Sequence, residues 1–183
     1  MYLKGAMKTW IALLRGVNVV GRNQVAMKAL AATFERAGFR SVRTYLQSGN
    51  VVFQSRSGTP RTFGVRIAQL VLEEFSFEPR VMVIDGEELA TAIRGNPFPA
   101  AHENHKLVHL YFLAGSPKKP DLEALAKLDA GREQFALKGE VFYLYTPDGF
   151  ADSVLQSRVE RCLGVAATAR NWRTANELLK LVE

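Results

Sequence analysis

Two short stretches of the 183-residue sequence bring together arginine, carboxamide, hydroxyl and glycine groups. The first is Arg15-Gly16-Val17-Asn18, continued by Val19-Val20-Gly21-Arg22-Asn23-Gln24, and the second is Gln47-Ser48-Gly49-Asn50. Arginine carries a permanent charge on a planar fork that matches carboxylate and phosphate oxygens. Asn, Gln and Ser add neutral donors, and glycines let the backbone turn so that N–H groups converge on an anion. This chemistry suits a phosphate- or carboxylate-bearing ligand, with Arg15, Asn18, Arg22, Gln47, Ser48 and Asn50 as the binding residues. The same residue types also serve as turn formers and caps. The Gly16–Gly21 spacing is not a Walker motif, since no Gly-Lys-Ser/Thr follows.

A second concentration is Ala169-Arg170-Asn171-Trp172-Arg173-Thr174. Two arginines around an aromatic ring can hold a phosphate or stack a base, which makes Arg170, Asn171 and Arg173 an extension of the binding set. A structural use competes: Trp172 stands ahead of a Thr174 cap, where an apolar residue acts as a staple, and the arginines can pair with acids. Three other patterns are weaker. His102, His105 and His109 are close together, but His109 falls in a strand and no carboxylate or thiolate partner is evident, so no metal is expected. Lys138 to Tyr145 and Leu110-Tyr111 partly match the RNP1 and RNP2 patterns of RNA-binding domains, yet Glu140 stands at a platform position and would repel phosphate, so these aromatics read as core. Cys162 lies on an apolar helix face and also reads as core.

The formal charge of +6 is unevenly placed. From Met1 to Leu72 there are eleven basic residues and one acid, Glu35, a net +10; the remaining thirteen basic and seventeen acidic residues give −4. A basic region of this kind attracts anionic small molecules or nucleic acid, although it also describes a merely well-solvated surface. It contains no His and the single acid Glu35, so a general acid or base would have to come from elsewhere; no catalytic residue is assigned and no cofactor is expected. One cysteine excludes an intramolecular disulfide framework, no apolar run is long enough for a membrane helix, and no signal peptide is readable, so a cytoplasmic protein with no membrane partner is expected.

The elements that must position these residues follow from periodicity. Thr9 to Leu14 reads as a buried strand, and Met27, Leu30, Ala31 and Phe34 as a helix face that stops at Gly38. Val42–Leu46 and Val51–Gln54 flank the Gln47–Asn50 turn. Phe63, Ile67, Leu70 and Val71 share a helix face opposite Arg66, Gln69 and Glu73, and Val81–Ile84 is a fourth strand. Asp85 with Glu88 caps a short helix through Ile93. The pattern then repeats: strand Lys106–Leu113, a helix with Leu122, Leu125 and Leu128, hairpin Gln134–Leu137 and Val141–Tyr145, a helix opened by Ser153 and Gln156 and carrying Val159 and Leu163, strand Val165–Thr168, and a last helix opened by Thr174 and Glu177. The reading is an α+β protein of two ferredoxin-like βαββαβ copies, each with a trailing helix, packed as one unit: 7–95 (basic), junction 96–105 across Pro97 and Pro99, and 106–183. In such a copy strands 1 and 3 are antiparallel neighbours, so the end of the first meets the start of the third, and Arg15–Asn18 meets Gln47–Asn50 beside the start of the first helix.

Ile11 to Gly21, Thr44 to Phe53, Asn96-Pro97-Phe98 and Thr168 to Thr174 resemble signature segments of the bacterial family called "domain of unknown function 1697". The resemblance spans the chain from about Met7, and the residues before it are expected to be an extension or an upstream start. Val20 departs from the pattern, where glycine is common. The resemblance implies paired ferredoxin-like units in a bacterial cytosolic setting and brings no activity with it. The function expected is binding of an anionic ligand, nucleic acid included; the alternatives are an enzyme on a small anionic substrate in the same cleft, or an interaction or dimerisation module, for which an exposed apolar patch would be the mark.

Overall fold

The computed structural model describes residues 6–183. The chain divides by contacts into two compact units, one of residues up to Leu89 with Leu178–Glu183, the other Ala90–Glu177. The first contains β1 (Lys8–Arg15), α1 (Met27–Arg36), β2 (Arg40–Tyr45), β3 (Asn50–Ser55), α2 (Pro60–Phe75) and β4 (Arg80–Asp85), followed by α3 (Gly86–Arg94), which runs into the second. There follow α4 (Ala100–Glu103), β5 (Val108–Leu113), α5 (Leu122–Ala126), β6 (Gln134–Lys138), β7 (Val141–Tyr145), α6 (Val159–Leu163), β8 (Ala167–Asn171) and α7 (Trp172–Val182). The result is a mixed α+β protein with two four-stranded antiparallel sheets, ordered β2-β3-β1-β4 and β6-β7-β5-β8.

The first sheet owes its position to β1, whose residues are apolar on both faces. Trp10, Ala12 and Leu14 join the core that α1 and α2 cover through Leu30, Phe34, Phe63, Ile67 and Val71; Ile11 and Leu13, facing the other way, are equally buried. Aromatic rings fill the centre of this core, with Phe39 4.6 Å from Phe53 and Phe63 5.2 Å from Trp10, separations at which ring pairs add to the burial term. Helix ends follow local chemistry. Thr59 and Thr62 form a reciprocal capping box ahead of α2, with Pro60 in its first turn. Asp85 accepts the Glu88 N–H at 2.8 Å while Glu88 accepts the Asp85 N–H at 2.7 Å, so α3 opens on the cap that the spacing suggests. The end of α7 is held within the first unit by Arg43, which donates to the Leu181 carbonyl, and by Gly86, where a Cβ would come within 3.0 Å of Val182.

In the second unit Tyr111, Leu113, Phe142, Leu144, Leu155, Val159 and Leu163 form a core, with Cys162 packed at its edge. Tyr111 and Phe142 meet edge to face at 5.8 Å inside it, so the partial RNA-binding pattern is packing. Two helix boundaries differ from those read in the sequence. The segment opened by Ser153 is a run of turns, and the helix begins only at Val159. Ser153 Oγ does accept the Gln156 N–H at 3.0 Å, but the Glu133 carboxylate captures the N–H groups of Val154 and Leu155 at 2.9 and 3.1 Å and the Ser153 hydroxyl at 2.7 Å, which leaves these donors satisfied without helical pairing. The last helix opens at Trp172 rather than Thr174. The Asn171 side-chain oxygen accepts the Thr174 N–H at 2.8 Å, so Asn171 is the cap and Thr174 is a buried first-turn residue.

Among the described residues no helix is long and apolar enough to cross a membrane, and no group of three or more His, Cys, Asp or Glu is placed to hold a metal ion. His102 packs edge-on against Trp172 at 5.2 Å. His109 lies in β5, stacked on Phe150 at 3.7 Å, with a buried Nδ1 that has no hydrogen-bond partner. Burial pushes its pKa down from 6.5 to about 4, because the cation would lose its hydration there. Between these two values the unfolded chain binds a proton that the folded chain does not. Stability should therefore fall as pH is lowered from 6.5 towards 4, by roughly 3 kcal/mol from this group, and the effect should level off below that. Urea unfolding at pH 7.5 and 4.5 should show a smaller acid loss in His109→Phe than in the natural chain; an equal loss would remove His109 as the cause.

Candidate anion-binding site

At its end β1 meets the start of β3: Leu13 lies opposite Asn50, and the Leu14 N–H donates to the Gly49 carbonyl at 2.8 Å. Gly49 has φ +77°, and a Cβ there would sit 2.9 Å from the Leu14 Cβ and 3.0 Å from its carbonyl oxygen, so both conformation and contact demand glycine. Asn50, fully buried, donates through Nδ2 to the Tyr45 carbonyl at 2.9 Å and to Ser48 Oγ at 3.0 Å, which ties the turn to both of its strands. The positive φ in this turn falls on Leu46 and Gly49.

The β1–α1 loop is braced by side-chain amides. Asn18 takes φ +54°, a conformation Asn tolerates. Its Oδ1 accepts the Val25 N–H at 2.8 Å, and its Nδ2 donates to the Val25 carbonyl at 2.9 Å and to the Gln47 carbonyl at 2.8 Å. Asn23 Nδ2 donates to the Gly16 carbonyl at 2.8 Å, the Asn18 N–H to the Asn23 carbonyl at 2.9 Å, and the Arg22 N–H to the Val19 carbonyl at 2.8 Å. Val20 stands at the tip, 96% exposed and at φ +32°. A β-branched side chain is disfavoured at positive φ, which is the physical reason a glycine suits this position.

Next to these loops α1 begins. Its N-cap residue, Ala26, has no side chain that can cap, and the helix has no acid in its first turn. Asn18, Gly21, Gln24, Val25, Ala26 and Gln47 line an open depression at this point. None of the six carries a titratable group, so the arrangement offers donors and acceptors for holding a ligand and no proton to move. Arg15, Arg22, Gln47 and Ser48 are exposed around it in the chain, whereas Asn18 and Asn50 act within the loops. Gln24, which lines the depression, and Arg80, which stands beside Arg15, are not among the binding residues read from the sequence. Arg80 opens β4 directly opposite Arg15 in the antiparallel register, so two guanidinium side chains leave the same side of the same sheet edge. The signal for it was the pairing of first and fourth strands that the topology requires.

Arg170, Asn171 and Arg173 are placed in the second unit by contacts of their own. Arg170 lies in β8 opposite Leu110, is 8% exposed, and donates from Nη1 to the Ala169 carbonyl at 2.8 Å. Burial pulls its pKa from 12.5 down to about 10, the sign of a cation taken out of water. Asn171 caps α7, and Arg173 is exposed on the first turn. Asn18→Ala would strand the buried Val25 N–H and open the link to Gln47, and should lower the unfolding free energy by about 2 to 3 kcal/mol. Gly49→Ala should lower it by at least about 1 to 3 kcal/mol through strain and overpacking. Denaturant titration of both variants checks this, and unchanged midpoints would show that the two loops are not held by these contacts.

No curated protein matches the chain. Among solved structures it is similar to the conserved bacterial protein SP0830 from Streptococcus pneumoniae, at 19% identity and a TM-score of 0.68, with 97% of this chain and 100% of that one covered. That likeness is one of fold, extending through both units. The family model described as "Protein of unknown function (DUF1697)" matches residues 7–143, a stretch that includes both loops of the depression and reaches into β7, and the chain belongs to that family.

Proposed function

We propose that this protein is a cytoplasmic binding module for an anionic ligand bearing a phosphate or carboxylate, carried by the first of two ferredoxin-like copies, 7–95, joined through 96–105 to the second, 106–183. The ferredoxin-like reading rests on the element order βαββαβ and on the strand order shared by both sheets. The binding reading rests on one observation: the depression at the start of α1 is walled by amide side chains and glycine, with Arg15 ending the strand that leads into it and Arg22 following Gly21. An anion placed there meets unpaired helix N–H groups and the favourable end of the helix dipole, with guanidinium groups close in the chain. The absence of a titratable group among the lining residues favours holding a ligand over transforming it. In this reading Asn18, Asn50 and Asn171 shape the loops, Arg15, Arg22, Gln47 and Ser48 face the ligand, Arg170 is a structural cation, and Arg173 is the exposed member of the second copy's set.

The test uses inorganic phosphate and a short single-stranded oligonucleotide as probes, each titrated against the natural chain and the Arg15→Ala/Arg22→Ala double variant over a range of salt concentrations. Binding should weaken as salt rises, and the double variant should lose at least about tenfold in affinity. Binding of the oligonucleotide with a steep salt slope and none of phosphate would identify a polyanion as the ligand class. Affinity unchanged by salt and by the double substitution would overturn the proposal.

A further inference from the structure

Helix α2 turns one face to the core, through Phe63, Gly64, Ile67, Ala68 and Val71, and leaves the other to solvent. On that outer face Val65 is 69% and Leu72 38% exposed, and they are the only large apolar residues of such exposure that lie in helices among the described residues. An open groove runs along the same face, lined among others by Arg61, Val65, Gln69 and Glu73. The charges at its ends are reversed with respect to the helix dipole. Arg61 stands in the first turn, Glu73 and Glu74 stand near the last, and there is no acid in the first turn and no base in the last. A lone helix is weakened by this order, because cations favour the C-terminal end and anions the N-terminal end. Neighbours offset part of it: Arg36 pairs with Glu74 at 2.7 Å, and Arg66 donates to the Ala37 carbonyl and lies over the Phe39 ring at 4.9 Å. Arg61 has no ion-pair partner among the described residues, and Glu73 accepts only from Gln69, at 2.8 Å.

We propose that the outer face of α2 is a self-association surface, on which a second copy of this chain docks the same helix antiparallel across a two-fold axis at the level of residue 67. About that axis Arg61 faces the partner's Glu73, Thr62 faces the partner's Leu72, and Val65 faces the partner's Gln69. A two-fold contact must be self-complementary, and this stripe is: basic at one end, acidic at the other, apolar and amide between. Antiparallel docking sets each reversed charge against the opposite charge of the partner and lays the two helix dipoles antiparallel, with each helix end beside the partner's opposite end. A 16-residue helix is about 24 Å long, so one helix pair buries well under the roughly 800 Å² per partner of a stable interface. The dimer is accordingly weak and depends on concentration.

Sedimentation equilibrium on the whole chain, from micromolar to about millimolar, tests this. The natural chain should self-associate, and Arg61→Glu and Glu73→Arg should each lose at least about tenfold in association, because each homodimer then sets like charges face to face. Mixed together, the two variants should recover association, since Arg61→Glu offers two acids to the two bases of Glu73→Arg. Each reversal also places the charge that the helix dipole favours, so thermal stability of the monomer should hold or rise, which separates lost association from lost fold. A natural chain that stays monomeric throughout, single variants that associate unchanged, or a mixture that fails to recover would each overturn the proposal.

Discussion

The Asn18 carboxamide is the contact on which one whole end of the first sheet depends. Three hydrogen bonds from one side chain close the β1–α1 loop on Val25 and join it to the Gln47 carbonyl of the β2–β3 turn. A loop that leaves a buried strand must satisfy its own backbone before it reaches the next element, and a carboxamide, with one acceptor and two donors, is the smallest neutral group able to do so in three directions. Because Val25 is itself buried, the same contact fixes where α1 starts and so aims the helix N-terminus at the depression. The loop is preorganised by neutral groups.

Much of this was legible in the sequence because it follows from period and topology. Alternation and helical spacing located β1, α1, the β2–β3 hairpin, α2 and β4 to within a residue or two, and antiparallel neighbours at strands 1 and 3 were enough to bring Arg15–Asn18 against Gln47–Asn50. What the sequence could not give is the direction in which a polar side chain is used. Asn18 and Asn50 have the composition of ligand-binding residues and act as internal braces, a distinction settled by carbonyl groups up to 29 residues away. Arg170 joins the binding set when the last strand is read as ending at Thr168; β8 runs three residues further, to Asn171, and Arg170 is buried within it. The helix expected from Ser153 is shortened by Glu133, some 20 residues upstream, whose carboxylate satisfies donors that would otherwise require a turn of helix. At Asn18 and at Ser153 a long-range hydrogen bond overrides a local signal.

The charge asymmetry acquires two physical meanings. The excess of basic residues before Leu72 includes those at the depression, Arg15 and Arg22, and those of α2, Arg61 and Arg66, and these are different problems. At the depression positive charge accompanies a helix N-terminus and the two reinforce each other for an anion. On α2 positive charge also stands at the helix start, but here it opposes the dipole and carries no loop around it, so what relieves it is an acidic helix end. Net charge alone cannot separate these uses; the orientation of each helix can.

The second unit supplies an internal contrast for the site. The corresponding corner, where β5 ends and β7 begins, is built with the same backbone contact: the Leu113 N–H donates to the Glu140 carbonyl at 3.0 Å, as the Leu14 N–H does to Gly49. Yet the residue at the turn is a glutamate, and its carboxylate accepts from Ser116 Oγ at 2.8 Å in the loop after β5. One strand order thus produces two corners of opposite sign, one with Gly49 and amides and arginines around it, the other with a carboxylate already holding the local donor. An anion has no reason to settle at the second, where like charge would repel it. The shared backbone geometry is accounted for by the fold, while the difference in side chains is not required by it, and it is on that difference that the proposal of anion binding at the first corner alone rests.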